Sequence, residues 1–155
     1  MKVVCDTSSI IKFQRGSVIG YLGQLFETVL IPQAVQAECQ DAASQEALRT
    51  PFFEVREVSH LLPLSGIGRG ELEAISLAAE RNIAIIVLDD EKAFRRALEQ
   101  GLTPVRSFRV LLLAKRNGLI PSVKTAMDAM IANGEGIQEE LYRRMLEEAG
   151  ETAEA

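Results

Sequence analysis

Short apolar runs alternate along the chain with longer stretches of helical period. Lys2 to Cys5 is a compact β-branched run that reads as a buried strand. Asp6-Thr7-Ser8-Ser9 interrupts it with residues that start helices, and Ile10, Ile11 and Phe13 follow. Tyr21, Leu22, Leu25 and Phe26 have helical spacing, and Thr28 to Ile31 is a second strand. Pro32 suits a first helical turn, where its missing N–H costs nothing. That helix carries Val35 and Glu38 and resumes after Asp41. Phe52 to Val58 alternates as a third strand, placed at an edge. A glycine-rich entry, Gly66 to Gly70, leads into a helix over 71–81, with Ile75, Ala78 and Ala79 facing the core. Ile83 to Leu88 is uninterrupted and aliphatic, as expected at the centre of a parallel sheet covered on both faces. Asp89-Asp90 ends it. Helices over 91–99, 108–116, 123–132 and 137–149 follow, with a short strand at Thr103–Val105. Strands alternating with helices predict an α/β fold built on a parallel sheet.

The 155 residues fit one domain, placed at 1–150, with 151–155 read as a frayed, disordered tail. Met1-Lys2 is followed by too few apolar residues for an export signal, and no run approaches the roughly 18–20 residues that span a membrane. A cytoplasmic protein with no membrane contact is therefore expected. Cys5 and Cys39 are too few and too scattered for a disulfide framework, and with one histidine, His60, they make no zinc site. Net charge is −5, but residues 92–124 carry Lys92, Arg95, Arg96, Arg106, Arg109, Lys115, Arg116 and Lys124 against one acid, Glu99. That stretch is +7 and the remainder −12, an asymmetry compatible with a nucleic-acid-binding surface on an acidic protein.

The carboxylates carry the chemistry. Asp6 directly follows the first strand and Asp89-Asp90 the fourth. Ligand sites of open parallel sheets lie beyond the carboxyl ends of strands, where strand order reverses, so these acids are expected to meet there. Glu71, in a first helical turn, and Glu38 can reach the same place. Glu73, two residues from Glu71, is expected on a solvated face. Four or five gathered carboxylates need a positive partner. Magnesium or manganese, hard ions preferring oxygen ligands, would supply it and assist phosphodiester hydrolysis. One of Asp89 and Asp90 is expected to cap the following helix, and the sequence leaves open which. The glycines at 66–70 lack the Gly-Lys-Ser/Thr ending of a phosphate loop. A receiver-type phosphoryl site wants paired acids after the first strand and a lysine after the last. Dehalogenase-type chemistry wants an Asp where Ser8 stands.

The residues Val3 to Ile11, an apolar strand running into Asp-Thr-Ser, resemble the opening signature of PIN domains. Ile31 to Val35 with Glu38 resembles their second segment, Gly68 to Ile75 the third, Val87 to Asp90 the fourth, and Leu111 to Ile120 the closing helix of a less characterised prokaryotic branch. The resemblance spans roughly residues 2 to 145. It implies a three-layer α/β/α sandwich and a magnesium- or manganese-dependent endoribonuclease similar to the VapC-like toxins of toxin–antitoxin pairs. It implies that Asp6, Glu38, Glu71 and Asp90 are catalytic and that Asp6, Glu71, Asp89 and Asp90 hold metal. Thr7 and Ser8 would be supporting hydroxyls, and Lys92, Arg95, Arg96, Arg106 and Arg109 would bind RNA. A small antitoxin protein is the expected partner, and a homodimer is expected from apolar surface at Leu111–Leu113, Ile137, Leu141 and Met145. The alternative is a catalytically silent PIN fold that binds RNA or protein. Two departures stand out: Glu71 occupies a position often Asp in the toxins, and Arg106-Ser107-Phe108-Arg109 replaces a glycine-containing stretch.

Overall fold

The computed structural model describes residues 1–152. Five parallel strands, β1 (Lys2–Cys5), β2 (Thr28–Pro32), β3 (Phe53–Arg56), β4 (Ile85–Val87) and β5 (Thr103–Val105), lie in the order β3-β2-β1-β4-β5. The central strand is thus β1. The longest aliphatic run, expected at the centre, contributes β4 beside it, and only three of its residues pair as strand. β3 lies at an edge, as its mixed pattern predicts.

The helices follow the capping signals. They are α1 (Thr7–Arg15), α2 (Leu22–Leu25), α3 (Gln33–Glu38), α4 (Ala42–Ala47), α5 (Arg69–Glu80), α6 (Glu91–Glu99), α7 (Ser107–Arg116), α8 (Val123–Ala132) and α9 (Glu139–Glu148). Asp6, Asp41 and Ser122 cap α1, α4 and α8 by accepting the N–H three residues on, satisfying a donor the helix leaves open. Alternate residues of β1 serve opposite faces of the sheet. Val3 and Cys5 pack with Ile10 and Phe13 of α1, Leu111 of α7 and Met127 of α8. Val4 packs with Ile75 and Ala78 of α5 and Ala93 and Ala97 of α6. Both faces are covered, which is why the inner strands are apolar after their first residues, and the architecture is an α/β/α sandwich. Ala79, expected in the core, is only half-buried.

Of the apolar residues named for a dimer surface, Leu141 is half-buried and outside the core clusters, and the others lie in or against the core between β1, α1, α7 and α8. Leu111 and Leu112 are buried, and Leu113, Ile137 and Met145 pack against the same cluster. The expectation that the chain frays from Glu151 also fails at that residue; 153–155 lie outside the described residues. Glu151 accepts the Val123 N–H at 2.7 Å, the Lys124 N–H at 2.9 Å and the Lys115 ammonium at 2.9 Å. It closes the start of α8 and ties it to α7. Glu151→Ala is expected to lower stability by about 1–2 kcal/mol, the scale of a lost helix cap, read as a lower urea midpoint with an unchanged slope.

Candidate metal centre

The strand order reverses between β1 and β4, and the acids gather beyond the carboxyl ends of those two strands. Asp6 is 1% exposed. Its Oδ1 accepts the Ser9 N–H at 2.9 Å, while Oδ2 has only a long contact, 3.4 Å, from the Ser8 hydroxyl. Burial pushes its carboxyl up to about 6, against the hydrogen bonds from Ser9, with Asp89 and Glu71 adding to the rise. A buried acid with a poorly satisfied oxygen beside other acids is a place where a cation is stabilised.

A cavity of about 260 Å³ opens onto Asp6, lined also by Thr7, Ser8, Ile11, Glu38, Gly68, Gly70 and Glu71. Glu38, at the end of α3, accepts the Thr7 hydroxyl at 2.6 Å. Glu71 accepts the Gly68 N–H at 3.1 Å. Burial raises the Glu71 pKa, the Gly68 N–H opposes that, and Asp90 and Glu38 reinforce it. Gly70 makes the cavity possible. A Cβ there would stand 2.8 and 2.9 Å from the Glu38 carboxylate oxygens and 2.9 Å from the Thr7 hydroxyl.

The donors are all oxygen, the set that suits a hard divalent ion. Asp6, Glu38 and Glu71, with the Thr7 and Ser8 hydroxyls, fit such an ion by chemistry and by the space Gly70 leaves. As the side chains stand, no three acidic, histidine or cysteine groups converge on one point among the described residues. Glu38 and Glu71 each turn to a local donor, and both are long enough to swing.

The two aspartates after β4 part company. Asp90 caps α6 through the Ala93 N–H at 2.9 Å and faces an open hollow shared with Glu71, Lys92 and Arg95. Asp89 turns the other way. It accepts the Ser107 N–H at 2.9 Å, the Ser107 hydroxyl at 2.6 Å and the Lys12 ammonium at 2.8 Å. Burial raises its pKa, but Lys12 and Ser107 together outweigh burial and hold it below the usual carboxylate range. Lys12 and Ser107 were missed in the sequence. Lys12 reads there as one more surface lysine, and its partner lies 77 residues away.

Glu73 is not solvated. Its side chain is 12% exposed and accepts the Ala34 N–H at the start of α3 and the Arg69 guanidinium. The basic stretch does not form one surface. Lys115 and Lys124 are bound to Glu151 and Asp128, and Arg96 turns to Glu99. Arg106 lies over the Phe94 ring and is bound to Glu91 and the Asp89 carbonyl. Arg95 pairs with Glu91 at the exposed end of α6, beside Lys92.

The fold is an α/β/α sandwich on a five-stranded parallel sheet, with an acidic cavity at the β1/β4 switch point. A PIN-domain family model matches residues 2–151, and the chain belongs to the PIN-domain family. Among solved structures it is similar to a PilT N-terminus domain protein from the hyperthermophilic archaeon Sulfolobus solfataricus P2. The identity is 18% and the TM-score 0.49, covering 90% of this chain and 98% of that one. No curated protein matches significantly. Among the described residues no helix is long and apolar enough to cross a membrane.

Proposed function

We propose that the protein is an endoribonuclease dependent on magnesium or manganese, with Asp6 at the centre of its site. The observation that carries this reading is the burial of Asp6, at 1% exposure, against a cavity walled by Glu38 and Glu71. Asp6, Glu38 and Glu71 would hold the ion, with Asp90 behind Glu71 adding to the negative field. Bound there, a divalent ion supplies the positive charge that phosphodiester hydrolysis needs. The chain does the rest. The Thr7 hydroxyl and the Ser9 N–H hold the Glu38 and Asp6 carboxylates, and the Ser8 hydroxyl stands beside the free Asp6 oxygen. Lys12 and Ser107 fix Asp89, whose charge adds to the rise of the Asp6 pKa. Lys92 and Arg95, exposed beside Asp90, are placed to hold the phosphates of a strand entering from the α6 side.

The test is cleavage of single-stranded RNA by purified protein, with manganese or with chelator. Manganese-dependent cleavage supports the reading; cleavage indifferent to chelator overturns it. A silent RNA- or protein-binding PIN fold is the second reading. It is favoured by the carboxylates' failure to converge among the described residues and by the Lys12 ammonium already resting on Asp89. A protein that binds RNA, takes up no manganese and cuts nothing is that module.

The proposal extends to a toxin restrained by a small antitoxin protein, on the strength of the resemblance, and to a homodimer, on the apolar side chains of α7 and α9. Light scattering that reads monomer across micromolar concentrations removes the dimer. Unrestrained growth of cells expressing the chain alone, with the nuclease demonstrably active in them, removes the toxin.

A further inference from the structure

A second cavity, a cleft of about 470 Å³, lies on the far side of Asp89 between α1, α7, α8 and α9. Its size is that of a small-molecule site. Leu111, Met127 and Met130 form an apolar floor, with Leu141 and Met145 of α9 opposite and Phe108 alongside. Such a surface accepts the flat face of a base, through the ring of Phe108 and the polarizable methionines.

The polar rim indicates what accompanies that base. Two of its three acids are answered within the chain, Asp89 by Lys12 and Glu135 by Arg15. Among the described residues Arg109 and Arg144 have no ion-pair partner, and both are exposed at the cleft. One unanswered acid, Glu148, lines the cleft with them, and Arg144 also borders a neighbouring hollow with Glu139, Glu140 and Glu147, so the positive charge at the rim is held chiefly on Arg109 with Arg144 beside it. Guanidinium is the group that matches phosphate oxygens in paired hydrogen bonds.

The cleft also adjoins the acidic cavity. Ser8 lines the cavity and Lys12 the wall of the cleft, one turn of α1 apart, or about 5–6 Å along the helix. A strand seated in one can reach the other.

We propose that this cleft binds one nucleotide of the RNA strand, its base on Phe108 and the methionine floor and its phosphate on Arg109 and Arg144. The inference rests on the ribonuclease reading for its biological sense, but its test does not need cleavage. With chelator present, the full-length protein is titrated with adenosine 5′-monophosphate, adenosine and inorganic phosphate, followed by calorimetry and by amide NMR shifts. The monophosphate is expected to bind at millimolar or tighter concentration, better than either fragment, shifting amides of α7 and α9. The double variant Arg109→Ser/Arg144→Ala should weaken it at least tenfold. Arg49→Ala, which removes an exposed cation away from the cleft, should leave it unchanged. Leu141→Trp, which fills the cleft, should block it, with circular dichroism confirming that each variant is folded. Equal binding by the wild type and the double variant overturns the proposal. So does an absence of nucleotide binding by a wild type that still cuts RNA, which would leave the cleft to a partner protein's side chain. Nucleotide binding that needs these arginines, in a protein that cuts nothing, keeps the cleft and removes the nuclease.

Discussion

Asp6→Asn should abolish manganese-dependent RNA cleavage and, without metal, make the folded protein more stable at neutral pH. The two effects have one cause. Asn keeps the shape of Asp and still caps α1 by accepting the Ser9 N–H, so the helix start survives. What disappears is a negative charge held at 1% exposure beside Asp89 and Glu71. Losing the central charge that would hold the ion is expected to cost on the order of 10³-fold in rate, the upper range for removing one preorganised electrostatic group. The stability effect follows from linkage. In the unfolded chain this carboxyl titrates near 3.8, and in the folded protein near 6. Below about pH 4 both states carry the proton. Between about 4 and 6 the folded state keeps it and the unfolded state has lost it. Above about 6 the fold bears the full cost of the buried charge, about 2–3 kcal/mol. Wild-type protein in chelator should therefore lose stability relative to Asp6→Asn as pH rises from 4 to 7. The difference should reach about 2 kcal/mol, some of the gain being offset by burying the amide. Subtracting the two urea titrations cancels the opposite trend from Asp89, whose depressed pKa acts at lower pH. A flat difference across that range would mean that Asp6 is not buried as a charge.

Gly70→Ala should separate the site from the fold. The added methyl arrives at 2.8–2.9 Å from both Glu38 oxygens and from the Thr7 hydroxyl, so the end of the Glu38 side chain must leave. Glu38 is flexible enough to do so without moving backbone. Alanine also suits a helix better than glycine, by up to about 1 kcal/mol. Stability is thus expected to hold or rise slightly while manganese affinity falls about 10- to 100-fold, the scale seen when groups orienting a metal's ligands are lost. Manganese titration by electron paramagnetic resonance, set beside a urea curve, reads both. Unchanged affinity with a displaced Glu38 would remove that residue from the proposed ligand set.

The sheet was legible because its inner strands are buried on both faces and therefore mostly apolar, and the start of α1 because Asp6 is a cap residue at a strand-to-helix turn. Asp6 itself could be found for the same reason: an acid at the end of a buried strand has no business there as a surface group. The division of labour between Asp89 and Asp90 was not legible. Both follow the same strand, and only the placement of Lys12 and Ser107, brought in from α1 and α7, makes them different. Glu73 was misread because its spacing from Glu71 describes α5 alone, whereas α3 packs against it and offers an open N–H. Glu151 was misread because a polar chain end resembles a frayed one until the start of α8 lies beside it. Gly70 looked like part of a loose glycine-rich entry, and its use appears only when Glu38 comes within reach from another helix.

The position of β1 has a consequence for synthesis. It precedes the other four strands of the sheet along the chain, yet it lies in the middle of the sheet, paired with residues 28–30 on one side and 86–87 on the other. Contacts so distant along the chain form late. A nascent chain shorter than about Val87 has one edge of β1 open and Asp6 without Asp89 across from it. An interrupted translation product is consequently an unfinished sheet with an exposed strand edge, a substrate for chaperones and proteases before its acidic cavity is complete.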